Sequence, residues 1–272
     1  MIVNTDSMQV YSVLRLLTAR PDGDDLAAVT HHLYGHVHPS QAYSVGHWQR
    51  DVGDLIASGK LEGKRAIFTG GTGLYFKALT GGLSEMPQVD PVVREKWRAR
   101  FDEDGGPALH AILVQHDPEM AMQLKPGDGQ RIVRALEVLE STGRSITHWR
   151  EMKGASLVDD ASLQRVVIDP GREVSNARIE RRFNQMIDGG ALDEVQTLLN
   201  LDLDPSLPAM KSIGVPELEA FLQGAISRDQ AVERAVIATR QYAKRQRTWF
   251  RNQFGAQWQR IAEAADLLEN YS

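Results

Sequence analysis

The sequence predicts an α/β protein in which a parallel sheet carries an all-helical insertion. Short apolar runs typical of strands occur at residues 2–4, 65–69 and 166–169. Each run precedes a polar or glycine turn, and helical periodicity follows, which is the order of a βα unit. Residues 91–152 instead show helical patterns with few strand signals. Strands bracketed by helices indicate a parallel sheet, and the interruption indicates an inserted helical domain.

The predicted elements follow in order along the chain. The strand at 65–69 is a compact apolar run, so we expect it to be buried in the sheet. We assign residues 1–90 and 157–272 to the α/β core and residues 91–156 to the insertion. Helices are predicted at 43–57, 74–79, 91–103, 106–115, 128–141, 175–199 with a bend near Gly189, and 228–252, followed by a strand at 258–261 and a helix at 263–269.

Composition excludes several classes of protein. The chain has 272 residues and no cysteine, which excludes disulfides, cysteine-based zinc sites and cysteine nucleophiles. Hydrophobic residues make up 42% and charged residues 25%, as in folded globular proteins. We expect no membrane span and no signal peptide, because no long apolar run occurs. The eight histidines show no metal-ligand spacing, so no protein metal site is predicted.

Two segments are candidates for an active site. Gly70-Gly71-Thr72-Gly73 joins a predicted strand to a helix, where backbone N–H groups and the Thr72 hydroxyl can meet an anion. The alternative is a tight turn with Thr72 as helix N-cap. Asp6 follows the first strand, at the sheet edge where ligands of α/β proteins bind. It can be a general base, a metal partner or only an N-cap.

Positive charge is concentrated locally although the net charge is −5. Residues 233–251 contain six Lys or Arg against one Glu, and their spacing forms a basic stripe beside an apolar one, which indicates an anionic partner such as nucleic acid. Two further groups of arginines can bind phosphates or be paired and solvated on helix faces. The stripe consists of Arg240, Lys244, Arg247 and Arg251, and the other groups are Arg131 with Arg134, and Arg178, Arg181 and Arg182.

An ordered set of motifs covers nearly the whole chain. Any one of them is weak, but together they resemble the bacterial tRNA dimethylallyltransferase (tRNA isopentenyltransferase) family. The motifs are Asp6-Ser7-Met8-Gln9-Val10-Tyr11, Thr18-Ala19-Arg20-Pro21, Pro39-Ser40-Gln41-Ala42-Tyr43-Ser44, Gly70-Gly71-Thr72-Gly73-Leu74-Tyr75, Asp128-x-Gln130-Arg131-x-x-Arg134-Ala135-Leu136-Glu137, and Ala238-Thr239-Arg240-Gln241-Tyr242-Ala243-Lys244-Arg245-Gln246-x-Thr248-Trp249.

This resemblance implies a P-loop-kinase-like core and a reaction. A dimethylallyl group would pass from its diphosphate to N6 of the adenosine 3′ of the anticodon in tRNA. Asp6 matches the family's general base, and Thr72 and Arg182 match residues at the leaving diphosphate. Gly70, Gly71 and Thr72 would bind the diphosphate, together with Mg²⁺. The resemblance also implies a cytoplasmic monomer of the nucleotide-binding, ATP-binding class.

The resemblance assigns tRNA contacts to the turn after the first strand, the insertion and the loop before residue 215. The basic residues Arg240, Lys244 and Arg247 would follow RNA phosphates. The remaining matched positions are Asp6, Ser7, Met8, Gln9, Thr72, Arg94, Gln130, Arg131, Ile132, Val133, Arg134, Lys211, Ser212, Ile213, Gly214, Val215 and Pro216.

One family feature has no match. The family's first strand and its phosphate loop, with the pattern G-x-x-x-x-G-K-[ST], precede the position of Asp6, and this pattern occurs nowhere in the 272 residues. We therefore expect the first strand and P-loop to be missing from this chain, by a misassigned start or a real truncation. Two alternative functions stay open: a non-catalytic tRNA-binding remnant, and an enzyme that prenylates free AMP.

Overall fold

The computed structural model describes residues 1–81, 83–84, 86–152 and 154–269. The chain divides into two compact units. One comprises Met1–Leu79 and the chain from Leu157 onward, and the other comprises Thr80–Ser156. No helix within the described ranges has both the length and the apolar character needed to span a bilayer.

The first unit contains the strands. β1 (Ile2–Asn4) lies in the middle of a three-stranded parallel sheet, between β2 (His31–His32) and β3 (Ile67–Thr69). A second, two-stranded parallel sheet pairs β4 (Val166–Ile168) with β5 (Gln259–Ile261). The α/β class with parallel strands, predicted from the sequence, is thereby confirmed.

The helices include those predicted from the sequence, but the short helices at 23–28, 118–122, 146–151 and 215–222 were not predicted. In the described part of the chain, the helices are α1 (Gly23–Ala28), α2 (Val45–Ala57), α3 (Gly73–Leu79), α4 (Pro91–His116), α5 (Pro118–Met122), α6 (Gly129–Thr142), α7 (Ile146–Glu151), α8 (Arg172–Asp188), α9 (Ala191–Leu199), α10 (Val215–Leu222), α11 (Arg228–Gln253) and α12 (Asp266–Glu269).

The expectation that the strand at 65–69 is buried is wrong. Ile67 in β3 is 51% exposed, and the side chains on either side of Phe68 face outward. The reason is the strand order: β3 is an edge strand that pairs only with β1 among the described strands. Ile168 of β4 is equally exposed, again on a strand with one described neighbour. Apolar composition alone could not distinguish an edge strand from a central one.

A segment without sequence periodicity supplies part of the core of the first unit. Val10, Tyr11 and Leu14 are fully buried and pack in one cluster with Phe183 of α8 and Val215 of α10. Tyr11 is joined to Val37 by an isolated parallel bridge rather than by a regular strand. Val10, Tyr11 and Leu14 are therefore structural core although neither a helical nor a strand pattern predicts the segment 8–17.

The second unit is entirely helical within its described residues. Trp97, Leu113, Ile132 and Leu136 form its core. α4 is interrupted at Gly105, where φ is 75°, which accounts for the two helices predicted there. This unit begins at Thr80, whereas the sequence-based boundary was residue 91. The reason is that Val89 and neighbouring residues pack into the helical core.

Candidate active site

The ends of β1 and β3 bring two turns together. Their register pairs Asn4 with Thr69, so both strands finish at the same edge of the sheet. The Thr5 N–H donates to the Thr69 carbonyl at 2.9 Å, and the Thr72 N–H donates to the Thr5 carbonyl at 3.1 Å. The turn containing Asp6 and the glycine segment around Thr72 are thus joined by backbone hydrogen bonds.

The carboxylate of Asp6 accepts hydrogen bonds from the backbone of its own turn. One carboxylate oxygen accepts the N–H of Met8 at 2.8 Å and that of Gln9 at 3.4 Å. Burial raises the pKa of Asp6 above the ordinary value of 3.8, and the N–H groups of Met8, Gln9 and Gly71 and the Arg182 guanidinium oppose this rise. Asp6 therefore holds a proton more tightly than a free aspartate does, which suits a group that must accept one.

Thr72 contacts the same turn through its side chain. Its hydroxyl oxygen accepts the Ser7 N–H at 2.9 Å, and the hydroxyl donates to the Ser7 Oγ at 3.2 Å. The structure therefore brings together Asp6, Ser7 and Thr72, with Arg182 within electrostatic range of Asp6. Asp6, Thr72 and Arg182 are the residues that the resemblance assigned to the reaction, whereas Ser7 was predicted only as a tRNA contact.

The glycines of the segment 70–73 are required by close neighbours. A Cβ on Gly70 would overlap the Thr5 backbone, and one on Gly73 would overlap the Trp249 ring. At Gly71 the obstacle is Gln246, whose side-chain amide donates to the Gly71 carbonyl at 2.8 Å. Helix α11 thus packs directly on this segment, and neither Gln246 nor Trp249 was predicted as a site residue.

Three tyrosines lie within electrostatic range of Asp6. Burial and, secondarily, the Asp6 charge raise the pKa of Tyr34 and of Tyr242 to about 12, and raise that of Tyr75 as well. Tyr75 stacks on Trp48 with ring centroids 4.7 Å apart. These phenols therefore stay protonated near neutral pH. The sequence offered no sign of this, because the three tyrosines are far apart along the chain.

The residues at this edge do not form a metal site by themselves. Among the described residues, no three His, Asp or Glu side chains come together as a ligand group. Asp6 is the carboxylate at the edge, and backbone N–H groups already engage it. A magnesium ion here would need most of its ligands from a substrate, which is how Mg²⁺ commonly binds with phosphates.

Comparison with known protein families identifies the family of the chain. The IPP transferase family matches residues 9–253. The chain belongs to the IPP transferase family. Two relatives, both tRNA dimethylallyltransferases, agree with this. The protein of Mesorhizobium japonicum is 57% identical over 98% of this chain and 83% of its own length, and that of a Chelativorans species is 55% identical over 96% and 89%.

The chain is also similar to solved structures of related transferases. The tRNA isopentenylpyrophosphate transferase of Bacillus halodurans aligns with a TM-score of 0.66 and 28% identity over 99% of this chain and 85% of its own. A eukaryotic dimethylallyltransferase acting on tRNA aligns with a TM-score of 0.75 and 25% identity over 92% of this chain and 63% of its own. The resemblance stated from the motifs is therefore confirmed at the level of family and fold.

The segment 211–216 of this IPP transferase lies close to the Asp6 turn. The Ser212 hydroxyl contacts the Met8 sulfur at 3.2 Å. Within the segment, Lys211 and Pro216 are exposed, whereas Ser212, Gly214 and Val215 are buried. The Val215 side chain is fully enclosed in the core of the first unit, so a tRNA contact at this position would have to come from its backbone.

A similar division holds in the helical unit. Arg94, Gln130 and Arg131 are exposed, so their side chains are accessible. Ile132 and Val133 were predicted to contact tRNA, but their side chains are buried in the helical core. Arg134 is half-buried and pairs with the buried Glu137 at 3.3 Å. The family stretch therefore combines accessible polar side chains with residues that hold helix α6 in place.

The basic stripe lies on α11. Lys244 and Arg251 are exposed and Arg247 is half-buried. Arg240 differs, because its guanidinium pairs with Glu180 of α8 at 2.7 Å. Part of the positive charge counted in the sequence is thus neutralised by a neighbouring helix.

Proposed function

We propose that the chain transfers a dimethylallyl group from dimethylallyl diphosphate to N6 of the adenosine 3′ of the anticodon in tRNA. The observation that carries this proposal is the joined pair of turns holding Asp6 and Thr72, in a chain of the IPP transferase family. The names of the relatives, tRNA dimethylallyltransferases, support the choice of reaction.

The acceptor half of the reaction needs a base. The N6 amine attacks the first carbon of the dimethylallyl group, a C–N bond forms, and the bond from that carbon to the diphosphate oxygen breaks. The amine must lose a proton, and Asp6 accepts it. The raised pKa of Asp6 brings its proton affinity closer to the working pH, which is the condition for efficient general base catalysis.

The donor half of the reaction needs stabilisation of the departing charge. Thr72, the backbone N–H of Gly70 and Arg182 are the groups that would contact the diphosphate, because the Gly71 N–H already bonds the Asp6 carboxylate. Mg²⁺ would neutralise charge on the same group when bound with it. The described residues supply no ligand cluster for it, so most of its ligands would come from the diphosphate.

The acceptor is proposed to be a tRNA. Each of the two units has exposed basic side chains that could bind its phosphates. The exposed positions Lys244 and Arg251 on α11, with Lys211, and Arg94 and Arg131 in the helical unit, support this partner. The target adenine must leave its stack to reach Asp6. A tRNA acceptor implies a cytoplasmic site of action, and a monomer is expected from size-exclusion chromatography.

Two alternatives are separated from this proposal by one assay. The chain is incubated with labelled dimethylallyl diphosphate and Mg²⁺, and with an anticodon stem-loop, the same stem-loop carrying guanosine at the target position, or AMP. Label on the first RNA alone is expected. Label on AMP would favour the free-nucleotide enzyme. RNA binding without label would favour a binding-only protein.

Asp6→Asn is the matched variant for the role of the base. It keeps the size of the side chain and is expected to reduce turnover by about 10²-fold or more. Binding of the stem-loop, measured by filter retention, should stay close to that of the wild type. Turnover near the wild-type rate would remove Asp6 from the proposed role.

A further inference from the structure

Asn4 is a buried polar residue that the proposed reaction does not use. It is the last residue of β1, is fully buried, and lies two residues before Asp6. Its side-chain oxygen accepts the Asp6 N–H at 2.8 Å, and its side-chain nitrogen donates to the Asp6 carbonyl at 2.9 Å. An asparagine that bonds the backbone two residues ahead forms an Asx turn. Asn4 therefore holds the backbone of Asp6 from both sides.

The same amide also reaches a second loop. Its nitrogen donates to the Leu33 carbonyl at 2.9 Å. Leu33 has a φ of 62°, in the left-handed region that residues other than glycine seldom adopt. The next residue is Tyr34, one of the phenols close to Asp6. Asn4 thus links the turn that carries Asp6 to the loop that carries Tyr34.

Asn4 is itself firmly held. Its backbone carbonyl accepts the indole N–H of the buried Trp48 at 2.8 Å, and its backbone pairs with Thr69 of β3. Only an amide supplies one acceptor and two donors at this length. Serine keeps an acceptor and a single donor, and aspartate keeps the acceptor but faces two carbonyl oxygens without a donor. Water cannot easily replace the lost bonds at a fully buried position.

We propose that Asn4 is a positioning residue that fixes the direction of the Asp6 carboxylate and the distance of the Tyr34 loop from it. This inference rests on the proposed function, because it concerns the orientation of the carboxylate that is proposed as the base. Asn4 does not touch the substrates. It acts by holding two backbone segments in the one arrangement in which Asp6 faces the reacting amine.

The test compares Asn4→Ser and Asn4→Asp with the wild type. Asn184→Ser is the control, because Asn184 is exposed and its amide bonds within its own helix. We expect kcat per folded molecule to fall about 10-fold to 100-fold in Asn4→Ser and further in Asn4→Asp, since small misplacements of a reacting group have effects of this size. The KM values for both substrates should change less than about twofold. The control should behave as the wild type.

A merely structural role gives a different result. The variants would then lower the melting temperature but keep kcat per folded molecule, and this outcome would overturn the inference. A wild-type chain that transfers nothing would instead count against the proposed function. In that case the titration of the Asp6 carboxyl, followed by ¹³C NMR, decides the inference. We expect Asn4→Ser to raise the Asp6 pKa, because the Met8 and Gln9 N–H groups lose their alignment, and an unmoved titration overturns it.

Discussion

Gln246 near the end of α11 donates its side-chain N–H to the Gly71 carbonyl at 2.8 Å. This bond connects the helix that carries the basic stripe to the segment that carries Thr72. It fixes the Gly71–Thr72 peptide from one side, while the Thr72 N–H bond to Thr5 fixes it from the other. The orientation of the Thr72 hydroxyl is therefore set by two elements that are distant in the sequence.

Substitution of Gln246 tests this connection. Gln246→Glu keeps the shape but removes the donor and brings a carboxylate near Gly71 and Asp6. We expect turnover to fall about tenfold, the effect of losing a hydrogen bond worth about 1.4 kcal/mol. Gln241→Glu, at an exposed position of the same helix, is the control. Equal turnover in both variants would show that the Gly71 bond is unimportant.

The pH dependence of transfer should report the surroundings of Asp6. Because burial raises the pKa of Asp6, the acid limb of the kcat/KM profile is expected above the ordinary aspartate value of 3.8. The Arg182 charge lowers this pKa, so Arg182→Gln should move the limb to higher pH. Arg172→Gln, at the exposed start of the same helix, should not move it. A shift to lower pH in Arg182→Gln would contradict the arrangement.

Asp6 should also reduce the stability of the fold at neutral pH. Its pKa is higher in the folded than in the unfolded chain, so its contribution to the free energy of unfolding is greatest below about pH 4 and declines as the pH rises through the folded pKa. Asp6→Asn removes this decline and is expected to gain stability relative to the wild type between pH 4 and 7, as measured by urea unfolding.

Asp204→Asn provides a comparison of opposite sign. Hydrogen bonds from the Ser206 backbone and hydroxyl lower the pKa of Asp204, so that variant should lose stability relative to the wild type over the same pH range. If both variants change in the same direction as the pH rises, the assignment of the Asp6 environment is wrong.

Glu194 of α9 anchors the segment after the Asp6 turn. Its carboxylate accepts hydrogen bonds from the backbone N–H groups of Arg15, Leu16 and Leu17. The N···O distance is 2.8 Å for Leu16 and 2.9 Å for Leu17. Glu194→Ala leaves these donors without the carboxylate and should lower the free energy of unfolding by about 2 kcal/mol. The control Asp193→Asn, at an exposed neighbour, should change it by less than about 1 kcal/mol. Equal denaturant midpoints would contradict the anchor.

The basic stripe should give unequal contributions to RNA affinity. Lys244→Gln is expected to reduce the slope of log affinity against log salt by about 1, because one phosphate contact is lost. Arg240→Gln should reduce it less, since Glu180 already neutralises that guanidinium. The measurement is stem-loop binding across a salt series. An Arg240 variant with the larger effect would mean that the ion pair opens when RNA binds.

Local patterns in the sequence determined much of this protein. The strand at 2–4, the long last helix, the glycine segment at 70–73 and the helical character of 91–152 were each predicted from a few neighbouring residues and are present as predicted. Ordered motifs also identified the family, which the profile and the relatives confirm. Such features depend on spacing within one element, and spacing is visible in a linear chain.

Only the tertiary structure decided which residues meet. The core role of Val10 and Leu14, the exposure of Ile67 on an edge strand, and the burial of Ile132 and Val215 all follow from contacts between elements far apart in the sequence. The same is true of Asn4: a polar residue ending an apolar strand looks like the start of a turn. Its side-chain amide can bond both Asp6 and Leu33 because parallel strands bring their carboxyl ends to one edge of the sheet. Leu33 is 29 residues from Asn4 along the chain, so the sequence gives no sign of this contact.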